Sequence, residues 1–231
     1  MALTKLNGVS WGSIVKVNGI AKASISKVSG IEATPPPPIQ YATLNLTKYG
    51  TYINDDATFS GGSWSTTVDA ISSDYSYTSS LALSSAVFVG RSFTSYNNAR
   101  VNLQFDLSSF VGYTILALSL TLNVTGITTN STNRVFVMST QGNTFSYPTL
   151  NNVDYSLYRQ YGEGGVYGIE EITDLVQYNI SLTDSLGFAN LHPSAFPMTL
   201  VTAYDKDTIE PSANTSYQVY FSAPTLNVTY Q

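Results

Sequence analysis

Catalysis needs a base, a carboxylate pair, a metal cage or a phosphate cradle, and this sequence offers thin material for each. The single histidine, His192, lies in the stretch Leu191-His-Pro-Ser194. Serines are plentiful, yet no Gly-x-Ser-x-Gly elbow occurs to set one beside a base. His192 therefore reads as a loop histidine, and no triad is expected. Glycoside hydrolysis needs two carboxylates facing each other across a cleft. Glu170 and Glu171 are neighbours, and in an extended segment they point to opposite faces. Asp205 and Asp207 are the other close pair, and ion pairing or solvation explains both pairs better. Asn54-Asp55-Asp56 could offer oxygens to a hard cation such as Ca2+, but the same residues cap loops, which is the reading adopted. Gly162-Glu-Gly-Gly165 sits in a Tyr-rich stretch with no helix after it, so it is no phosphate loop. The expectation is a protein with no catalytic residue, no metal site and no cofactor.

The aromatic residues carry more information. Trp64, Tyr75, Tyr77, Tyr96, Tyr155, Tyr158, Tyr161 and Tyr167 lie in Ser-, Gly- and Asn-rich segments that read as loops. Such rings give flat contact area with a polar edge, suited to stacking on sugars or on protein surfaces. Trp64, Tyr75, Tyr77, Tyr158 and Tyr161 are the candidate ligand-binding residues. The competing reading makes them a Tyr-lined subunit interface or ordinary loop packing.

The elements that must position these rings follow from composition. Of 231 residues, 43% are hydrophobic and only 11% charged, so a packed core is expected and disorder is not. With 17 tyrosines and many Ser, Thr and Asn, the surface is polar but uncharged, as in extracellular binding modules and virus fibres. Cysteine is absent, which excludes disulfides and thiolate metal sites. The start of the chain has no apolar signal core, and no run is long enough to span a membrane. The expectation is a chain made in a cytoplasm, with no membrane insertion. The net charge of −5 is uneven: residues 1–34 hold four lysines against Glu32, a net of +3, and the remainder carries −8. Four scattered lysines form no nucleic-acid stripe, so no nucleic-acid partner is expected.

Thr34-Pro-Pro-Pro-Pro-Ile39 marks a boundary, because consecutive prolines form a stiff polyproline II spacer. Before it, Ser13-Ile-Val-Lys-Val-Asn-Gly-Ile20 aligns with Ser24-Ile-Ser-Lys-Val-Ser-Gly-Ile31 at a period of 11. Asn18-Gly19 and Ser29-Gly30 read as tight turns, which predicts a small β-meander bearing Trp11, Ile14, Val17, Ile20, Ile25, Val28 and Ile31. So short a piece cannot bury enough surface alone, so those side chains are expected to dock on a partner. After the prolines, Val101, Leu103 and Phe105 alternate with Asn102 and Gln104. Leu118, Leu120, Leu122 and Val124 alternate with Ser119, Thr121 and Asn123; Leu226, Val228 and Tyr230 alternate with Asn227 and Thr229. Each predicts a strand with one buried and one wet face. Further strands are expected at 41–47, 86–90, 134–139, 199–204 and 217–222. A helix is expected at 171–179, from the spacing of Ile172, Leu175 and Val176. The architecture expected is all-β: residues 1–34 an anchor, 35–38 a polyproline linker and 39–231 a jelly-roll β-sandwich.

Val87-Phe-Val-Gly-Arg91, Asn98-Ala-Arg-Val-Asn-Leu-Gln-Phe-Asp-Leu-Ser-Ser109, Ile115-Leu-Ala-Leu-Ser-Leu-Thr-Leu122, Glu171-Ile-Thr-Asp-Leu-Val176, Leu186-Gly-Phe188 and Ala223-Pro-Thr-Leu-Asn-Val-Thr-Tyr230 resemble, in order, the DNRLRE-type jelly rolls related to carbohydrate-binding modules. Ser10-Trp-Gly-Ser-Ile14 with Lys16-Val-Asn-Gly-Ile20 resembles a repeat found at the N-termini of phage virion proteins. Together these resemblances imply a non-enzymatic head fibre or tail-associated fibre on the surface of a tailed-phage virion. It would be a homotrimer that docks to capsid or tail proteins and offers its jelly roll for attachment to host-surface glycan. The alternative they leave open is a carbohydrate-binding module of a bacterial surface protein. No aromatic platform of the kind such modules present can be mapped residue by residue.

Overall fold

Apolar-polar alternation becomes paired strands along most of the chain in the computed structural model. It describes residues 5–6, 9–10, 13–14, 16–17, 20–21, 27–28, 31–32, 37–56, 63–70, 72–89, 94–129, 134–139, 149–156, 166–182 and 195–231. The chain divides into two compact units, one of residues 1–40 with Gln231, the other Tyr41–Tyr230.

In the first unit, strand β1 (Lys5–Leu6) pairs with β2 (Val9–Ser10), β3 (Lys16–Val17) with β4 (Ile20–Ala21), and β5 (Lys27–Val28) with β6 (Ile31–Glu32). The register is the same each time: Leu6 opposite Val9, Val17 opposite Ile20, Val28 opposite Ile31. The period-11 repeat therefore has three copies, not two. The first, Lys5-Leu-Asn-Gly-Val9, is disguised because Leu and Val stand where the others have Val and Ile. Each hairpin is a separate two-stranded sheet, and strands this short have little stability of their own. Of the expected docking residues, Val17, Ile20, Val28 and Ile31 lie on these strands and Ile14 is half-buried, while Trp11 and Ile25 lie outside the described residues.

The second unit runs β7 (Gln40–Asn45), β8 (Lys48–Asp56), helix α1 (Trp64–Val68), β9 (Tyr75–Tyr77), β10 (Leu81–Val89), β11 (Thr94–Phe105), β12 (Ile115–Thr129), β13 (Arg134–Ser139), a 3-10 turn at Asn152–Ser156, β14 (Val166–Glu171), β15 (Gln177–Ser181), β16 (Phe196–Thr202), helix α2 (Ala203–Lys206), β17 (Ser216–Phe221) and β18 (Thr225–Tyr230). Twelve strands form one curled antiparallel sheet in the order β14-β13-β16-β11-β10-β17-β12-β18-β7, with β15 beside β12, β8 beside β11, and β9 beside β8. The fold is an all-β, jelly-roll-like sandwich.

Two long strands let the sheet curl. Along one edge β11 meets β8 from Tyr96 to Gln104; along the other it meets β10 up to Ala99 and β16 from Val101. Likewise β12 meets β18 from Ile115 to Thr121, then β17 from Val124, with a register shift between Val124 and Gly126. Each strand thus serves both layers. Between them lies a core that includes Leu83, Leu103, Phe105, Leu120, Leu122, Phe196, Leu200, Val219 and Leu226, all fully buried. At about 25 cal/mol per Å2 of apolar surface, such burial is the main term holding the layers together.

Local signals set the ends of the short helices. Ser63 caps α1 by accepting the Thr66 N–H, and the Thr66 hydroxyl accepts the Ser63 N–H in return. Thr202 caps α2 by accepting the Asp205 N–H at 3.2 Å.

The helix expected at 171–179 is not there. Residues 166–171 and 177–181 are strands β14 and β15 with a bend between them. The Tyr178 hydroxyl accepts the N–H groups of Thr173 (3.1 Å) and Asp174 (2.9 Å), giving these amides a partner outside any helix. Ile172 enters the core while Leu175 and Val176 are exposed, so the three never share a face. Glycine is required at position 168, where a Cβ would collide with the Ile180 Cγ2 and stand 2.7 Å from the Ser181 carbonyl.

Candidate functional site: two polar faces of one sandwich

The polar side of β11 is not wet. Asn98, Arg100, Asn102 and Gln104 are all buried, although alternation with Val101, Leu103 and Phe105 had pointed Asn102 and Gln104 to solvent. Helix α1, helix α2 and the 152–156 turn are bound over them. Arg100, with no exposed surface, donates from Nε to Asp205 Oδ2 at 2.6 Å and from Nη2 to Asp205 Oδ1 at 2.7 Å. Its remaining donors reach the carbonyls of Tyr155 (2.8 Å) and Val68, and the Tyr155 ring lies 4.1 Å from the guanidinium carbon. One arginine therefore holds all three covering segments.

Neighbouring groups complete the cluster. Asn98 donates to the Tyr155 hydroxyl (2.9 Å) and to Asp205 (2.8 Å), and that hydroxyl donates to the Thr67 carbonyl. Asn102 bridges the Asp154 carbonyl and the Thr199 hydroxyl. The Tyr52 hydroxyl donates to Asp154 at 3.1 Å; burial first, then the Asp154 charge, holds this phenol far above its usual range. Both carboxylates are spent on hydrogen bonds. Asp205 is 0% exposed, so it has no access to a substrate, and Asp207 outside pairs with Lys206 instead. Ion pairing accounts for this aspartate pair, and the cluster is structural.

The aromatic candidates separate. Trp64 is only 2% exposed, packs against Val68, Val87 and Tyr96, and donates its indole N–H to the Tyr204 carbonyl. It is a core residue of the cover and cannot stack on a ligand. Tyr155, also expected in an open loop, is buried beneath Arg100. Tyr75 and Tyr77 lie on edge strand β9 rather than in a loop, and as residues two apart they share a face. Tyr75 is 45% exposed and its hydroxyl leans on Asp55 at 3.4 Å, whereas Tyr77 is half-buried. Tyr158 and Tyr161 lie outside the described residues, as do His192 and 162–165. Asn54-Asp55-Asp56 is split by the pleat of β8: Asn54 points inward to the Thr67 carbonyl, while Asp55 faces out and accepts from Ser95 and Tyr75. No group of three potential metal ligands occurs among the described residues.

A second polar face carries no helix over it among the described residues, although Thr121 at its centre is only 7% exposed. On β12, Leu118, Leu120 and Leu122 enter the core while Ser119, Thr121 and Asn123 point away, as their alternation predicts. The flanking strands match. Ala42 and Leu44 of β7, Leu226 and Val228 of β18, and Ile180 of β15 face inward, so Thr43, Asn227 and Asn179 face outward. These outward side chains form one continuous ladder. Thr43 donates to Asn227 (3.0 Å), Asn227 to Thr121 (2.8 Å), and Thr121 to Asn179 (2.7 Å), where Gln177 also donates at 3.5 Å. Thr121 and Asn227 were present in the alternation as wet-face residues, whereas Gln177 and Asn179 lay in the stretch expected to be helical. What the sequence did not show was which strands lie side by side. A scan against protein-family models finds no match for this chain, and a search of curated proteins finds none either.

Proposed function

We propose that this chain is a non-enzymatic surface protein of a tailed-phage virion, a head fibre or tail-associated fibre. It docks to capsid or tail proteins through residues 1–34 and displays its jelly-roll unit for attachment to host-surface glycan. The observation that carries this reading is the contrast in self-sufficiency between the two units. The first consists of three separate two-residue-strand hairpins in identical register, elements that need a partner to bury their apolar residues. The second has a full core and a sheet edge to edge across twelve strands. The resemblances to a virion N-terminal repeat and to DNRLRE-type jelly rolls support the same division of labour.

Assembly as a homotrimer belongs to this reading, because a charge-poor, Tyr-rich sandwich behind a proline spacer suits side-by-side association. The non-enzymatic reading is supported by the aspartates: Asp205 and Asp154 are both committed to hydrogen bonds inside the closed cluster. Mass spectrometry of purified virions tests the assignment. The chain should be recovered as a repeated structural component; its presence in the host lysate with none in purified particles would overturn it.

A further inference from the structure

Of the aromatic residues singled out from the sequence as ligand-binding candidates and described in the structure, Tyr75 keeps the most exposed ring. The open ladder makes a stronger case on chemical grounds. A neutral saccharide presents hydroxyls that both donate and accept, with apolar C–H faces between them. The surface that suits it is uncharged, rich in amides and hydroxyls, already rigid, and furnished with an exposed ring.

The face formed by β7, β18, β12 and β15 has each of these properties. None of its outward residues is charged. The ladder fixes the side chains before any ligand arrives, so the ordering cost that weakens sugar binding is already met. Hydrogen-bonding capacity remains at its surface. Asn179 is exposed and its Oδ1 accepts from Thr121 and Gln177, which turns its Nδ2 outward with no partner among the described residues. Thr43 donates to Asn227 and keeps its lone pairs. Tyr41, two residues before Thr43 on the same side of β7, is 78% exposed, more than any other large apolar or aromatic residue among those described. Adjacent strands are about 4.8 Å apart, so the four-strand ladder spans roughly 14 Å. That is the length of a short run of sugar rings.

We propose that this face binds a neutral saccharide chain, with Tyr41 stacking on a ring and Asn179, Thr43 and Gln177 hydrogen-bonding to its hydroxyls. Absence of cationic groups makes the face unsuited to sulfated, phosphorylated or sialylated glycans, whose charge would go unpaired. Around Tyr75 the chemistry is different: its hydroxyl is occupied by Asp55, and Asp74 sits alongside, accepting the Asp55 N–H at 2.7 Å. The proposal deepens the attachment part of the function above and is independent of the docking part.

The test uses the full chain with soluble neutral hexasaccharides of glucose, mannose, xylose and N-acetylglucosamine, and with sialyllactose and sulfated dextran fragments as charged controls. Two-dimensional NMR of side-chain amides should show Asn179 and Asn227 shifting with at least one neutral sugar at millimolar concentration. Tyr41→Ala and Asn179→Ala should each weaken that binding about tenfold, while Tyr75→Ala leaves it unchanged. Silence across the neutral panel, preference for a charged control, or loss in Tyr75→Ala but not in Tyr41→Ala would each overturn the proposal. So would burial of the ladder amides between copies of the chain as concentration rises. Particle incorporation of Tyr41→Ala separates the two readings, because a virion protein that reads no sugar here would still incorporate.

Discussion

Strands β11 and β12 carry the same sequence pattern and end in opposite environments. Both alternate large apolar residues with Asn, Gln, Ser or Thr, and both send the apolar set into one shared core. The other face of β11 is sealed under two helices and a 3-10 turn and contains a buried ion pair; that of β12 is open and uncharged. Alternation therefore reports which side chains share a face, not whether that face meets water. The cover over β11 is set by residues distant in sequence, Tyr155 and Asp205, which meet at Arg100 and Asn98. A charge that cannot be left alone in a dry interior makes the covered face specific to these three segments.

The comparison breaks most readily at Asp205. Asp205→Ala leaves Arg100 buried without its counter-charge and should cost about 3–5 kcal/mol of stability, read by chemical denaturation. Replacing Arg100 and Asp205 together with apolar residues of similar size should recover only part of that loss, because the Val68 and Tyr155 carbonyls and the Asn98 amide then lose partners. Full recovery would mean that the pair does no more than balance charge. Trp64→Ala opens the cover from the other side and should cost about 3 kcal/mol. Tyr75→Ala, at a partly exposed edge, should change stability by less than about 0.5 kcal/mol. Equal effects of these two substitutions would contradict the placement of Trp64. At the β14–β15 crossing, Gly168→Ala should cost about 1–3 kcal/mol, because the new methyl meets a backbone carbonyl that cannot move freely.

Alkali sharpens the contrast further. Burial raises the phenol pKa of Tyr52 and Tyr217, so both are held neutral in the folded chain. For a pKa raised on folding, the stabilisation is complete below the unfolded value, about 10, and is lost as pH rises above it. Stability should fall above that point, less steeply in Tyr52→Phe. A small effect belongs to the open face. Thr121→Ala removes two links of the ladder at a position only 7% exposed, yet should cost about 1 kcal/mol. The freed groups belong to Asn227 and Asn179, which are half-buried and exposed and can turn to water. A cost as large as that of Asp205→Ala would show that the ladder is a structural element after all.

What could be read from the residues follows the same division. Strands β11, β12 and β18 were legible because apolar and polar residues alternate along them, and their inward residues are the ones expected. The cover was not, because α1 and α2 have five and four residues, too few to display a helical period. Trp64 looked like a loop aromatic for that reason: its Ser- and Thr-rich surroundings are a capping box, not a flexible tip. The one available hint was Arg100 itself, an arginine set among Asn98, Ala99, Val101 and Leu103 in a chain poor in charge. At 171–179 the spacing of three apolar residues imitated a helix, but Tyr178 supplied backbone partners that favour a bend. The first hairpin was missed because conservative replacements hid its copy of the repeat, although the lysines at 5, 16 and 27 kept the period.

The central claim is that the jelly-roll unit is complete in itself and that the N-terminal hairpins tie it to a particle. Deleting residues 1–33 and assaying both folding and co-sedimentation with virions tests it directly. The account predicts a soluble β domain that unfolds cooperatively, with the same stability as in the full chain, and is absent from the particle fraction. Full incorporation of the truncated chain would contradict the tether, and failure of the truncated chain to fold would contradict the independence of the jelly-roll unit.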